Sequence, residues 1–161
     1  MSRRLHRLVL ALVATAFVGC NSAPVPDVDA DSFVFYSIKS PGNAPQHLEA
    51  LEKLHGYEVL GKIDIKDMKT REAVVAAFRE GAPGGDGPFA SCFFPRHAIS
   101  TIVAGKRIDY VICFECGQYR IIQGDKWVVK SVSGAPSSTF NSILTQAGVT
   151  LAPPPGAVSE P

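Results

Sequence analysis

The residues best equipped for chemistry lie between Cys92 and Cys116, in the stretch C-F-F-P-R-H-A-I-S-T-I-V-A-G-K-R-I-D-Y-V-I-C-F-E-C. Three thiols (Cys92, Cys113 and Cys116) and His97 give the spacing C-x4-H-x15-C-x2-C. That set has the donor chemistry of a tetrahedral structural zinc site, and the Cys113–Cys116–Gly117 turn is its most knuckle-like part. A disulfide is the default use of cysteine in an exported chain, and one bridge leaves a spare sulfur. A redox C-x-x-C is the third reading. It draws its low thiol pKa from a helix N-terminus, whereas Gln118 to Gln123 reads as strand. A catalytic pair is a further arrangement, with Cys92 or Cys116 as nucleophile, His97 as base and Glu115 as its orienting carboxylate. Arg96 is a candidate contact for an anion or carboxylate ligand; the plainer reading pairs it with a nearby carboxylate. The chain has no G-x-S-x-G, H-E-x-x-H or Walker-type phosphate loop.

Strands must position these groups. His97 to Ala104 and Arg107 to Phe114 are apolar alternating runs, and two further strand signals follow at Gln118 to Gln123 and Lys126 to Val132. Gly105-Lys106 and Gly124-Asp125 read as two-residue hairpin turns. A turn at Gly105-Lys106 puts Ala104 opposite Arg107, and His97 then shares a face with Ile112, Phe114 and Cys116. Cys113 points to the other face, because residues three apart on a strand alternate. Regular pairing therefore groups His97 with Cys116, allows a Cys92–Cys116 disulfide, and admits Cys113 only where the strand kinks. Trp127 and Tyr119 read as sheet-face packing.

Upstream, Phe33 to Ile38 and Tyr57 to Ile65 read as strands. Between them, Leu48, Leu51 and Leu54 share one helical face after Asn43, which places His47 and His55 on a helix as surface or packing residues. A second helix runs to about Glu80, with Thr70 as cap, Val74, Val75 and Phe78 buried, and Gly81 as stop. A last helix starts at Ser137 or Ser138, buries Phe140, Ile143, Leu144 and Ala147, and stops at Gly148. The expectation is an α+β domain: a mainly antiparallel sheet of about four to six strands with a central meander, packed with about three helices.

The N-terminus carries a different signal. Arg3, Arg4 and Arg7 precede an uncharged run of 11 residues, Leu8 to Val18. That run is shorter than the roughly 20 residues a spanning helix needs, and it has the length of a signal-peptide core. It ends in Phe17-Val18-Gly19-Cys20, which resembles the lipobox of bacterial lipoproteins. The resemblance implies cleavage before Cys20 and a lipid attached to its sulfur. It further implies a cell-envelope location facing the periplasm or exterior, with Asn21 favouring the outer membrane. The chain then divides into a leader (1–19), a lipidated cysteine with a flexible tether (20–31), one domain (32–151) and a proline-rich tail (152–161). Loss of three arginines with the leader leaves 13 Lys+Arg (16 less 3) against 15 Asp+Glu. A balance of −2 without a basic stripe argues against nucleic acid as a partner. The expected partners are the membrane, through the lipid, and a protein or small ligand.

The segments C-F-F-P-R-H-A-I (92–99) and V-I-C-F-E-C (111–116), with the preceding strand and helix, resemble an uncharacterised family of exported bacterial proteins. The resemblance implies no reaction and no ligand. The leading expectation is a non-enzymatic binding or structural role. Its competitor is a thiol- or zinc-dependent activity using Cys92, His97, Cys113 and Cys116.

Overall fold

A computed structural model describes residues 25–40, 52–82 and 90–154. The expected lipidation site at Cys20, the helical stretch from Asn43 to Leu51 with His47, the glycine loop at 83–89 and the tail beyond 154 lie outside the described residues.

Alternating apolar residues build the centre. In β1 (Ser32–Lys39), Phe33 and Phe35 point to one face while Tyr36 and Ile38 point to the other, and all four are buried. A strand buried on both faces belongs inside a sheet, and β1 pairs on both edges. Its neighbours are β3 (Tyr57–Asp64) and β4 (His97–Val103). Outside β3 lies the two-residue β2 (Lys53–Leu54), and beyond β4 come β5 (Lys106–Cys113), β6 (Gln118–Gln123) and β7 (Lys126–Ser131). The seven strands run β2-β3-β1-β4-β5-β6-β7, every neighbour antiparallel.

Both helices, α1 (Met68–Gly81) and α2 (Ser137–Gln146), cover the Phe33/Phe35 face. There Val74, Val75 and Phe78 of α1, with Phe140 and Leu144 of α2, meet Ile99, Tyr110, Ile112 and Tyr119 of the sheet. The opposite face carries a smaller cluster built on Tyr36, Ile38, Val59, Ala98 and Val111. The α+β class and the antiparallel meander are as expected, with one more strand than the upper expectation of six and two helices among the described residues. The difference arises at residues 53–64, where Lys53–Leu54 pairs with Tyr57–Glu58 as a hairpin. Leu54 is therefore in a strand, and His55 sits in the turn rather than on a helix.

The β4–β5 register also differs from expectation. Val103, not Ala104, opposes the first residue of its partner strand (Lys106), and His97 opposes Ile112. The turn is Ala104-Gly105, with φ of 49° and 74°. A tight hairpin turn of the I′ type needs positive φ at both central residues, and this pair supplies it. The slip is two residues, so every side chain keeps its expected face. The helix cap moves as well: Asp67, not Thr70, caps α1, its Oδ1 accepting from the Thr70 N–H at 2.8 Å. Gly148 (φ 74°) follows α2 as expected, but α2 has Pro136 in the capping position and no side-chain cap.

Residues 25–31, read from sequence as tether, lie against the domain. Arg71 donates from Nη1 to the carbonyls of Val28 and Ala30, and Val25 accepts from the Tyr110 hydroxyl. Among the described residues no helix is long and apolar enough to cross a membrane.

Candidate functional site

The thiols gather where β5 ends. Rather than continuing to Cys116, β5 stops at Cys113, and Phe114 to Gly117 form a turn that reverses the chain into β6. Gly117 takes a positive φ of 67° and donates to the Phe114 carbonyl at 3.1 Å. Phe114 drops onto the helix-covered face beside His97, while Glu115 is exposed. The turn carries Cys116 back to Cys113, and the two form a disulfide with Cα atoms 5.2 Å apart. This corrects both the straight-strand geometry and the Cys92–Cys116 pairing it allowed. A four-residue turn brings positions three apart together in a way that a strand cannot.

Cys92 is the free thiol, and it is exposed. Its Sγ lies 3.7 Å from Cys116 Sγ, close to van der Waals contact. The backbone around the sulfurs is arranged with respect to charge. The Phe94 N–H points at Cys116 Sγ (3.3 Å), and the Cys116 N–H points at Cys113 Sγ (3.2 Å). Two further links hold the Cys92 segment in place. Gln118 Nε2 donates to the carbonyls of Ala90 (2.7 Å) and Cys92 (2.9 Å), and Ala90 N–H donates to the Cys116 carbonyl (3.1 Å). Gln118 is buried, whereas the Ala90–Cys92 segment that it holds is exposed. Nothing in the sequence marks it, since a glutamine at a strand start looks like any polar edge residue.

His97 does not join the thiols. It is 3% exposed on the helix-covered face, its ring packed among Phe35, Phe114 and Phe140. Its Nε2 meets Asn141 Oδ1 at 2.9 Å, and Nδ1 is buried without a partner. Burial drives its pKa down to about 4, partly opposed by the Asn141 hydrogen bond. A neutral histidine in an aromatic pocket, on the face opposite Cys113, is neither base nor metal ligand for these sulfurs. The Cys3His zinc set and the Cys–His catalytic pair are therefore not assembled. Among the described residues, no group of three or more His, Cys, Asp or Glu is placed to hold a metal ion.

Arg96 is engaged by the protein through all three of its side-chain nitrogens. Nε and Nη2 donate to the Ala152 carbonyl (3.1 and 2.6 Å), and Nη1 donates to Glu115 Oε1 at 2.7 Å. It ties the cysteine turn to the end of the domain and spends its donors there, which matches the plainer reading of this residue. Glu115 thus orients Arg96, not His97. Tyr119 packs in the core as expected, whereas Trp127 is 61% exposed. Arg120 stacks on both Phe93 (3.9 Å to the ring centre) and Trp127 (5.5 Å).

No protein-family model, curated protein or solved structure matches the chain.

Proposed function

We propose that this domain is a thiol–disulfide exchange module, anchored in the bacterial cell envelope by a lipid on Cys20. The observation that carries the reading is the contrast among the three sulfurs. Cys113 and Cys116 are 0% and 3% exposed, yet exposed Cys92 touches Cys116 at 3.7 Å. Bulk thiols have poor access to the buried disulfide, and Cys92 has both contacts.

Exchange proceeds by attack of a thiolate on one sulfur of a disulfide. The Cys92 thiolate attacks Cys116 Sγ, the Cys92–Cys116 bond forms, and the Cys113–Cys116 bond breaks with its electron pair leaving on Cys113. The Phe94 N–H polarises the attacked sulfur, and the Cys116 N–H receives the charge that develops on Cys113. Burial alone disfavours a Cys113 thiolate, so that single donor offsets a real desolvation cost. The new bridge includes an exposed sulfur. A partner thiolate can then attack Cys92 Sγ, forming a mixed disulfide and releasing Cys116. A second partner thiolate closes the partner's own disulfide and frees Cys92. Two partner thiols are oxidised and one domain disulfide is reduced; the reverse sequence reduces a partner.

Stabilisation is a weak reason for this bridge to exist. It spans a sequence separation of only 3, and short loops remove the least chain entropy from the unfolded state. An envelope setting, inferred from the leader, is oxidising enough to keep such a bridge formed. The partner class is a polypeptide or small molecule carrying a thiol or disulfide.

Rapid acid quenching, alkylation and peptide mapping of the purified protein test the reading. Cys113–Cys116 is expected as the main bridge, with a minority of Cys92–Cys116 that disappears in Cys92→Ser. A single bridge at every pH from neutral to mildly alkaline would contradict exchange.

A further inference from the structure

A second cluster of charged groups lies on the sheet face opposite the helices, four positions along β5 from Cys113. Its centre is Asp109, whose side chain is 5% exposed. Arg107 Nε donates to both carboxylate oxygens (2.9 and 3.1 Å), and His55 Nε2 sits 2.7 Å from Oδ2. His55 reaches Asp109 from the β2–β3 turn, where His55 and Gly56 take φ values of 51° and 86°. A side chain at such a position carries a backbone cost that glycine or asparagine would reduce. Histidine there instead makes a contact 54 residues away in sequence.

The donor arithmetic sets the chemistry of this pair. An ionised carboxylate only accepts, so His55 Nε2 must carry the hydrogen, and Nδ1 is then the atom with which an imidazole accepts. The His55 side chain is 32% exposed, so its ring meets solvent. Beside it lies a cleft of about 360 Å³ lined by Lys53, His55, Arg107 and Asp109, with Ile122 as an apolar wall. The charge of Asp109 is balanced by Arg107, and its two oxygens are occupied by Arg107 and His55. Lys62, near Tyr36, is matched by Glu52 (2.6 Å). Lys53 makes no ion pair among the described residues, which leaves the cleft with a net positive charge. Arg107 spends Nε on Asp109 and also hydrogen-bonds with Tyr36, which leaves further guanidinium N–H groups for a second acceptor.

We propose that this cleft binds inorganic phosphate, with Lys53 and Arg107 holding its charged oxygens and His55 Nδ1 accepting its O–H. The combination selects the ligand class. Two cationic donors alone fit any oxyanion, but an acceptor beside them requires an anion that still carries a proton near neutral pH. Inorganic phosphate does; sulfate does not, and a monoester, with its second pKa near 6, has lost that proton by pH 7.5. A site that hydrogen-bonds a hydroxyl discriminates strongly against an analogue lacking it.

The test is an NMR titration of the full chain at pH 7.5 and constant ionic strength, following the His55 ring and the Arg107 side chain. Inorganic phosphate, glycerol phosphate and sulfate are the probes. Saturable shifts with inorganic phosphate are expected, with sulfate and the fully ionised monoester about tenfold weaker. His55→Asn keeps a residue suited to positive φ, and Lys53→Gln removes only an exposed charge. Each should weaken phosphate binding by about tenfold or more, as loss of a charge-assisted or paired hydrogen bond does. Non-saturating shifts, equal affinity for sulfate, or unchanged affinity in both variants would overturn the proposal.

Discussion

His97 makes the stability of this domain depend on pH in a way that can be worked out from its surroundings. In the unfolded chain its pKa is ordinary, near 6.5, whereas burial among three phenylalanines lowers it to about 4 in the fold. The unfolded state therefore binds a proton first as pH falls, and the native state loses stability between those two values. Above pH 7 both states are neutral, and the residue contributes no pH dependence. Between pH 7 and pH 5 the linkage relation gives a loss of about 2 kcal/mol from this group alone. His97→Phe replaces the ring with one that cannot titrate. It fits the aromatic cluster, and Asn141 is only half-buried and can turn to water. Urea unfolding followed by far-UV circular dichroism at both pH values gives the comparison. The wild type should lose about 2 kcal/mol more than the variant over this interval. Equal losses would show that the His97 proton is not linked to folding, and the buried-neutral assignment would fail.

Three further outcomes follow from local geometry. Ala104→Asn places Asn-Gly, the favoured pair for this turn, where alanine now holds φ 49°, and should stabilise by about 0.5–1 kcal/mol in thermal unfolding. Asp67→Ala removes the α1 cap and should cost about 1 kcal/mol, while Thr70→Ala should cost less, because Thr70 contributes only its backbone N–H. Gln118→Leu leaves the Ala90 and Cys92 carbonyls without their donor. It should lower the mapped fraction of Cys92–Cys116 bridge severalfold without unfolding the domain, since water reaches the exposed Cys92 segment.

The meander was legible because Gln118–Gln123 and Lys126–Ser131 are β-branched and aromatic runs that flank a glycine turn. The β4–β5 register was not, because it depends on which residues accept positive φ, and Ala104 carries no such signal. A two-residue error still preserved the faces, so His97 was correctly placed opposite Cys113. The Cys113–Cys116 pairing was missed for a related reason. Alternation from Ile108 to Phe114 suggested that the strand would continue, and only Gly117 (φ 67°) hinted at the turn. His55 was hidden by the helical spacing of Leu48, Leu51 and Leu54, which outweighed the His-Gly pair that forms the turn. The Gln118 clamp and the His55–Asp109 pair join residues 26 and 54 positions apart. Contacts of that range leave no local pattern to read.

The central claim is that Cys92 is the route to the buried disulfide, and its kinetics test that claim most directly. Reduction of the purified protein by millimolar glutathione near pH 7.5 can be followed by quenched alkylation and intact mass, for wild type and Cys92→Ser. Serine at this exposed position leaves the Cys113–Cys116 bridge in place, and a thiol held at 3.7 Å competes with glutathione at high effective concentration. The account predicts that the wild-type bridge opens at least about tenfold faster than the variant's. Equal rates would mean that glutathione reaches the disulfide without Cys92, and the relay would be excluded.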